Sequence, residues 1–191
     1  DDLAPTDYWQ SLWKDYQNKD NRSRYQITEN GPAYECSEVS DYTYIDGLLT
    51  LKVIRDIEKL KKANKPFFLT AGFISNHLPF NAPKKYWNLY KRDLIEQPEN
   101  FNYIPEGAPN MSISNWPEMR AYSNIPKQGQ VSDSIAIDLI NGYYATVSYV
   151  DALIGKILDE LKEQKLDHNT IVILVSDHGY NLQEHTQWAK F

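Results

Sequence analysis

Twice in this chain a helical pattern runs straight into a short apolar run that ends in polar, chemistry-bearing residues. That order constrains the fold more than any other feature. In the first instance Leu48, Leu51, Ile54, Ile57 and Leu60 recur every three residues. This spacing keeps them near one face of a helix over about residues 46–63. Lys52, Arg55, Lys59 and Lys62 fall mostly elsewhere, and Asn64-Lys65-Pro66 stops the helix. Phe67-Phe68-Leu69-Thr70-Ala71-Gly72-Phe73-Ile74 follows at once and reads as a buried strand. In the second instance Ile135, Leu139, Tyr143, Val147, Val150, Ile154, Ile157 and Leu161 step by three or four along about residues 132–164. Ser132 or Asp133 is placed to cap that helix. After a turn at Leu166-Asp167-His168-Asn169, the β-branched run Thr170-Ile171-Val172-Ile173-Leu174-Val175 is the strongest strand pattern in the chain. Amphipathic helices alternating with apolar strands predict an α/β fold, a mostly parallel sheet covered by helices. Two strands are too few for such a sheet. Either further strands are present or the chain is part of a larger domain.

The remaining segments carry weaker patterns. Residues 1–45 are polar, rich in Tyr, Trp, Asp and Asn, and read as irregular coil. A short helix fits residues 84–92. Residues 95–130 hold Pro98, Pro105, Pro109, Pro117 and Pro126 and no clear period. A segment that long without regular structure is functional or disordered. Its Phe101, Tyr103, Met111, Ile113, Trp116 and Tyr122 favour a packed one. At 191 residues the chain suits about one domain.

Composition removes several classes of function. Acidic residues outnumber basic ones 26 to 20, a net charge of −6. The chain therefore lacks the basic footprint of a nucleic-acid binder, and an anionic membrane surface would repel it. No run of about 18 apolar residues offers a membrane span. The opening Asp1-Asp2-Leu3-Ala4-Pro5 is not a signal peptide. The single cysteine, Cys36, cannot form an internal disulfide. Asn21 and Asn110 begin Asn-x-Ser triplets of the kind that arise often by chance.

In open α/β sheets ligands sit beyond the carboxyl ends of the strands. The first strand would deliver Asn76 and His77 there. The second would deliver Asp177 and His178, followed by Glu184, His185 and Lys190. Asp177-His178-Gly179 is the sharpest local feature. A carboxylate and an imidazole can share a divalent cation, and Gly179 lets the backbone turn. The same three residues also fit a solvated turn with a capping aspartate. Lys190 suits an anionic group, and His185 and His77 can hold or transfer a proton. Each has an ordinary reading as a surface or loop residue, and the clustering of three histidines just after strand ends weighs more than any one of them. Cys36 has no His or basic neighbour in sequence to activate it and reads as structural. The tryptophans and tyrosines, 5 and 14 in number, could stack on sugar rings but are more often core or rim residues.

At these residues the chain resembles a type I sulfatase of the iduronate-2-sulfatase-like branch, within the alkaline phosphatase superfamily. The resemblance rests on Gly31-Pro32-Ala33-Tyr34-Glu35, on Asp46-Gly47, and on Pro66-Phe67-Phe68-Leu69 running into Gly72-Phe73. It continues through His77-Leu78-Pro79-Phe80, Pro83-Lys84-Lys85-Tyr86, Gly142-Tyr143-Tyr144-Ala145 and Val147-Ser148-Tyr149-Val150-Asp151. It ends on Ser176-Asp177-His178-Gly179, Leu182, Glu184-His185 and Trp188-Ala189-Lys190. It implies an α/β/α sandwich, of which residues 1–191 would be a partial catalytic domain, incomplete at both ends. It implies hydrolysis of a sulfate ester of a sulfated sugar, of the glycosaminoglycan kind, at a calcium ion, with magnesium as an alternative. By matching position Asp177 and His178 would be metal ligands, Lys190 and His77 would contact the sulfate oxygens, and His185 would line the pocket as a further catalytic residue. It also implies a periplasmic or secreted setting.

The departures from the family pattern are specific. The family's formylglycine is made from a Cys/Ser-x-Pro-x-Arg motif, and none occurs here. Cys36 is followed by Ser37-Glu38-Val39. The expected formylglycine nucleophile, the early metal-binding aspartates and the first active-site lysine would therefore lie outside this chain, and the span alone would not turn over. The family's glycines on either side of Glu-His are here Gln183 and Thr186, a change expected to alter the loop and the substrate pocket. Such a span would also expose apolar surface and tend to self-associate. Two alternatives stand beside the sulfatase reading. One is a phosphatase or phosphodiesterase of the same superfamily, with a Thr or Ser nucleophile and two metals. The other is a non-catalytic relative that binds sulfated sugars.

Overall fold

Helix α5 (Asp133–Glu163) is the axis on which the other elements are assembled. A computed structural model describes residues 16–190. The remaining elements are α1 (Lys19–Thr28), β1 (Tyr34–Ser37), α2 (Ile45–Ala63), β2 (Phe80–Pro83), α3 (Lys84–Trp87), α4 (Pro117–Arg120), β3 (Asn181–Leu182) and β4 (Trp188–Ala189). Both long helices lie where the periodicity predicts. Ser132 caps α5, its hydroxyl accepting from the Ile135 amide at 3.4 Å. α2 closes through Asn64 in the left-handed region, with Lys61 and Lys62 in its last turn, where cations suit the helix dipole.

The chain is mixed α/β, with a small parallel sheet in which Tyr34 pairs with Phe80 and Ser37 with Pro83. α5 packs across β1, β2, α2 and α3. One core joins Leu78, Phe80, Trp116, Met119, Tyr122, Leu139, Ile140, Leu182 and Trp188. A second lies further along α5 around Tyr44, Trp87, Tyr149 and Leu153. A third joins α2 to the end of α5 through Val53, Ile57, Leu161 and Leu166. The proline-rich segment is packed in its second half, where Trp116, Tyr122 and Ile125 are buried, whereas Tyr103 and Met111, also expected to pack, are exposed. No helix among the described residues is long and apolar enough to cross a membrane.

Three expectations need correction. The 67–74 and 170–175 runs are not buried strands. Phe68 is 92% exposed and Ile171 89%, and neither run forms a ladder among the described residues. β-branched and aromatic residues favour an extended backbone, but a strand exists only where a neighbour accepts its hydrogen bonds. The parallel pair forms instead from Tyr34–Ser37 and Phe80–Pro83, runs too short and too polar to stand out by periodicity. The 1–45 lead-in also holds regular structure within its described part: α1 and β1. Asn18 caps α1 by accepting from the Asp20 and Asn21 amides. The buried Glu35 carboxylate then ties that helix down, accepting from the Gln17 and Asn18 amides, the Asn21 side chain and the Tyr44 hydroxyl. The 84–92 helix is shorter than expected, one turn at Lys84–Trp87 followed by a 3-10 turn at Arg92–Leu94.

Candidate functional site

The segment that delivers His77 is held from below by a buried carboxylate. Asp46, in the first turn of α2, accepts from the Ile74 amide at 3.0 Å and the Ser75 amide at 2.7 Å. Burial pushes its carboxyl up, and these hydrogen bonds oppose the push. Asn76 then turns the chain with φ of 83°, its side-chain oxygen buried without a hydrogen-bond partner. β2 begins three residues beyond His77, so the imidazole sits at the edge of the first core.

Both His77 ring nitrogens meet acceptors. Nδ1 lies 2.8 Å from the Leu78 carbonyl oxygen and Nε2 lies 3.0 Å from Glu118 Oε1. The hydrogen bond to Glu118 raises the His77 pKa above the ordinary histidine value, against its burial. The same bond lowers Glu118 below the ordinary carboxylate value, with His77, Lys190 and His178 adding to it. The other Glu118 oxygen lies 3.9 Å from Lys190 Nζ. A histidine and a lysine from distant parts of the chain thus converge on one half-buried carboxylate. Lys190 arrives there because β3 and β4 pair antiparallel, Leu182 opposite Trp188, and the buried Trp188 anchors the hairpin in the first core.

The resemblance alone sets His77 and Lys190 against one anion, and neither it nor the residue pattern points to Glu118. Glu118 lies on a one-turn helix inside the proline-rich segment, and its only signal is the Pro117-Glu118 start of that turn.

Asp177 and His178 are exposed. The Asp177 carboxylate accepts from the His178 amide at 2.9 Å, and its other oxygen lies 3.4 Å from His178 Nε2. His178 Nδ1 is 2.8 Å from the Gly179 carbonyl oxygen, which leaves Nε2 as the ring nitrogen on the Asp177 side. That pairing of donors fits part of a cation site. No group of three or more His, Cys, Asp or Glu side chains among the described residues forms a complete one.

His185 is elsewhere in its contacts. Its Nδ1 faces the Tyr103 carbonyl at 3.1 Å and its Nε2 the Asn100 side-chain amide at 3.0 Å. It fastens the proline-rich segment to the hairpin. Glu184 accepts from the Leu182 amide and closes the same hairpin. At Gln183, His185 and Thr186 the backbone is left-handed, with φ of 84°, 52° and 66°. Glycine adopts this region without cost, and a β-branched residue such as Thr186 does not. Cys36 lies on β1 with its side chain exposed, and desolvation by its neighbours raises its thiol pKa, which disfavours the nucleophilic thiolate.

The chain matches the sulfatase family over residues 5–191. It is 31% identical over 163 residues to iduronate 2-sulfatase of Mus musculus, an alignment covering 82% of this chain and 29% of that protein. The Homo sapiens iduronate 2-sulfatase is likewise 31% identical over 163 residues, covering 81% and 29%. A sulfatase of Formosa agariphila is 35% identical over 134 residues, covering 68% of this chain and 25% of its own. The chain therefore spans less than a third of the length of these curated relatives.

Proposed function

Because this chain belongs to the sulfatase family, we propose that the protein carrying it hydrolyses sulfate esters of a sulfated sugar, in the manner of its iduronate-2-sulfatase relatives. In this reading residues 16–190 supply the sulfate-holding part of an active site whose nucleophile lies outside the chain. The observation that carries the reading is the convergence of His77 and Lys190 on one anionic group. Two positive side chains set against one carboxylate leave the site a net positive charge, which favours a sulfate.

In this reading Lys190 offers a compact ammonium to the sulfate oxygens, where negative charge grows as the ester bond breaks. His77, doubly hydrogen-bonded in its charged form, adds a second positive group, and its Nε2 proton could reach the leaving sugar oxygen only by exchanging the Glu118 bond for one to substrate. Asp177 and His178 would hold the calcium ion, with the remaining ligands from elsewhere. A bound divalent cation polarises the ester oxygens as a Lewis acid. His185 shapes the pocket by fixing the 100–103 loop. Formylglycine does not fit this chain: Cys36 lacks the Cys/Ser-x-Pro-x-Arg context and sits on β1. The family resemblance also supports a secreted or periplasmic setting.

The test is turnover of 4-methylumbelliferyl sulfate and a sulfated disaccharide by the intact protein, co-expressed with the enzyme that makes formylglycine. A bis-aryl phosphodiester is assayed in parallel. We expect sulfate release, and a fall in kcat/KM of about 10²–10³ in Lys190→Ala, the loss typical of removing one oxyanion donor. Binding of the sulfated sugar without turnover would replace the proposal with a binding relative. Cleavage of the phosphodiester alone would replace it with a phosphodiesterase.

A further inference from the structure

Glu118 stands at the centre of the cationic pair, and its own helix is unusually well fixed for a single turn. Pro117 occupies the first helical position, with its φ already set for the helix. Two residues past Glu118, the buried Arg120 donates to the Asn115, Pro126 and Gly129 carbonyls. Its guanidinium also lies 4.3 Å from the Trp116 ring centre. Met119, between them, is sealed in the first core. The Glu118 carboxylate is thus presented from a rigid base, as a group must be if it is to position others.

The groups it meets define what it does. His77 has a carbonyl at Nδ1 and a carboxylate at Nε2, and neither can donate. Satisfying both contacts requires a hydrogen on each nitrogen, which is the imidazolium form. His185 is the contrast: a carbonyl on one nitrogen and an amide donor on the other suit a single ring hydrogen.

We propose that Glu118 is a positioning residue that holds His77 as the imidazolium and draws the Lys190 ammonium to the same point, setting the charge of the anion subsite before substrate enters. The inference rests on the sulfatase reading for the substrate it serves, but its effect on His77 is independent of turnover. The other titratable groups around it are Lys190, which opposes the His77 charge, and His178, Tyr122 and Tyr180, which share the field of Glu118. Burial raises both tyrosines, and the Glu118 charge adds to that, so they stay neutral while the pair titrates.

The experiment is an NMR titration of the His77 ring nitrogens, assigned with His77→Ala, in the native chain, Glu118→Gln and Glu118→Asp. In the native chain the His77 midpoint should lie above the ordinary histidine value. Glu118→Gln should bring it down and free one nitrogen to the neutral form, and Glu118→Asp should restore most of the elevation. In the intact protein the basic limb of the kcat/KM profile on 4-methylumbelliferyl sulfate should move to lower pH in Glu118→Gln. An unmoved His77 midpoint in a folded Glu118→Gln protein overturns the proposal, as does a Glu118→Asp midpoint as low as that of Glu118→Gln. A midpoint that moves in a protein that never releases sulfate upholds the role of Glu118 and overturns the sulfatase reading alone.

Discussion

The same substitution, glycine to alanine inside a helix, should move stability in opposite directions at Gly47 and Gly155. Alanine is favoured over glycine by about 1 kcal/mol in a helix interior. At Gly155, in α5, an added Cβ meets nothing within 4 Å, so that gain stands. At Gly47, in the first turn of α2, the Cβ would lie 1.8 Å from the Asp41 carbonyl oxygen and 2.8 Å from the Tyr149 hydroxyl. Carbon contacts are comfortable only near 3.5 Å, so helix and loop must part by about 1.5 Å. That movement breaks the buried 2.6 Å hydrogen bond from Tyr149 to the Asp41 carbonyl. A buried donor left without its partner costs about 1–3 kcal/mol, and overpacking costs about 1–3 kcal/mol more. After subtracting the helix gain, Gly47→Ala should lose about 1–5 kcal/mol, centred near 3. Gly142 is intermediate, its Cβ meeting the Trp87 ring at 2.9 Å and Phe80 Cβ at 3.1 Å. At about 2–4 °C per kcal/mol for a chain of this size, Gly155→Ala should melt about 3 °C higher and Gly47→Ala about 10 °C lower. Calorimetry and urea unfolding of the three variants check the order. A Gly47→Ala protein as stable as the native one would refute the close approach of α2 to the Asp41 loop.

Three further outcomes are expected. The His77–Glu118 pair should make stability depend on pH: the raised His77 contributes fully below 6.5 and loses its contribution as pH rises through its folded value, while the lowered Glu118 contributes fully above 4.5 and loses its contribution as pH falls through its folded value. The urea midpoint of the native chain minus that of Glu118→Gln should therefore be greatest between pH 4.5 and 6.5, and a flat difference would count against the pair. Asp46→Ala should release the Ile74 and Ser75 amides at a cost of about 1–3 kcal/mol, read as faster hydrogen exchange at those two positions; unchanged protection would remove Asp46 as the support of the His77 segment. The exposed 171–175 run should drive concentration-dependent self-association, which Ile171→Lys with Ile173→Lys should abolish in sedimentation velocity; a native chain that sediments as a monomer at every concentration would contradict this.

Local pattern was enough to find α2 and α5, because a 3.6-residue apolar period and a capping serine are written within the helix itself. It was also enough to single out His77, Asp177, His178 and Lys190, since chemically distinctive side chains after apolar runs are visible without coordinates. Pairing was not legible. The 67–74 and 170–175 runs have strand composition but find no ladder among the described residues, while Tyr34–Ser37 and Phe80–Pro83 pair without any strong period. A strand is a relation between two segments, and sequence describes each segment alone. The same reason hid Glu118. A carboxylate on a one-turn helix reads as a solvated charge until Arg120, Pro117 and Met119 fix that turn against the core and bring the carboxylate to His77 and Lys190. Tertiary structure alone decided that convergence, because it depends on distances between residues 77, 118 and 190 that only the packing of β2, α4 and the β3–β4 hairpin sets.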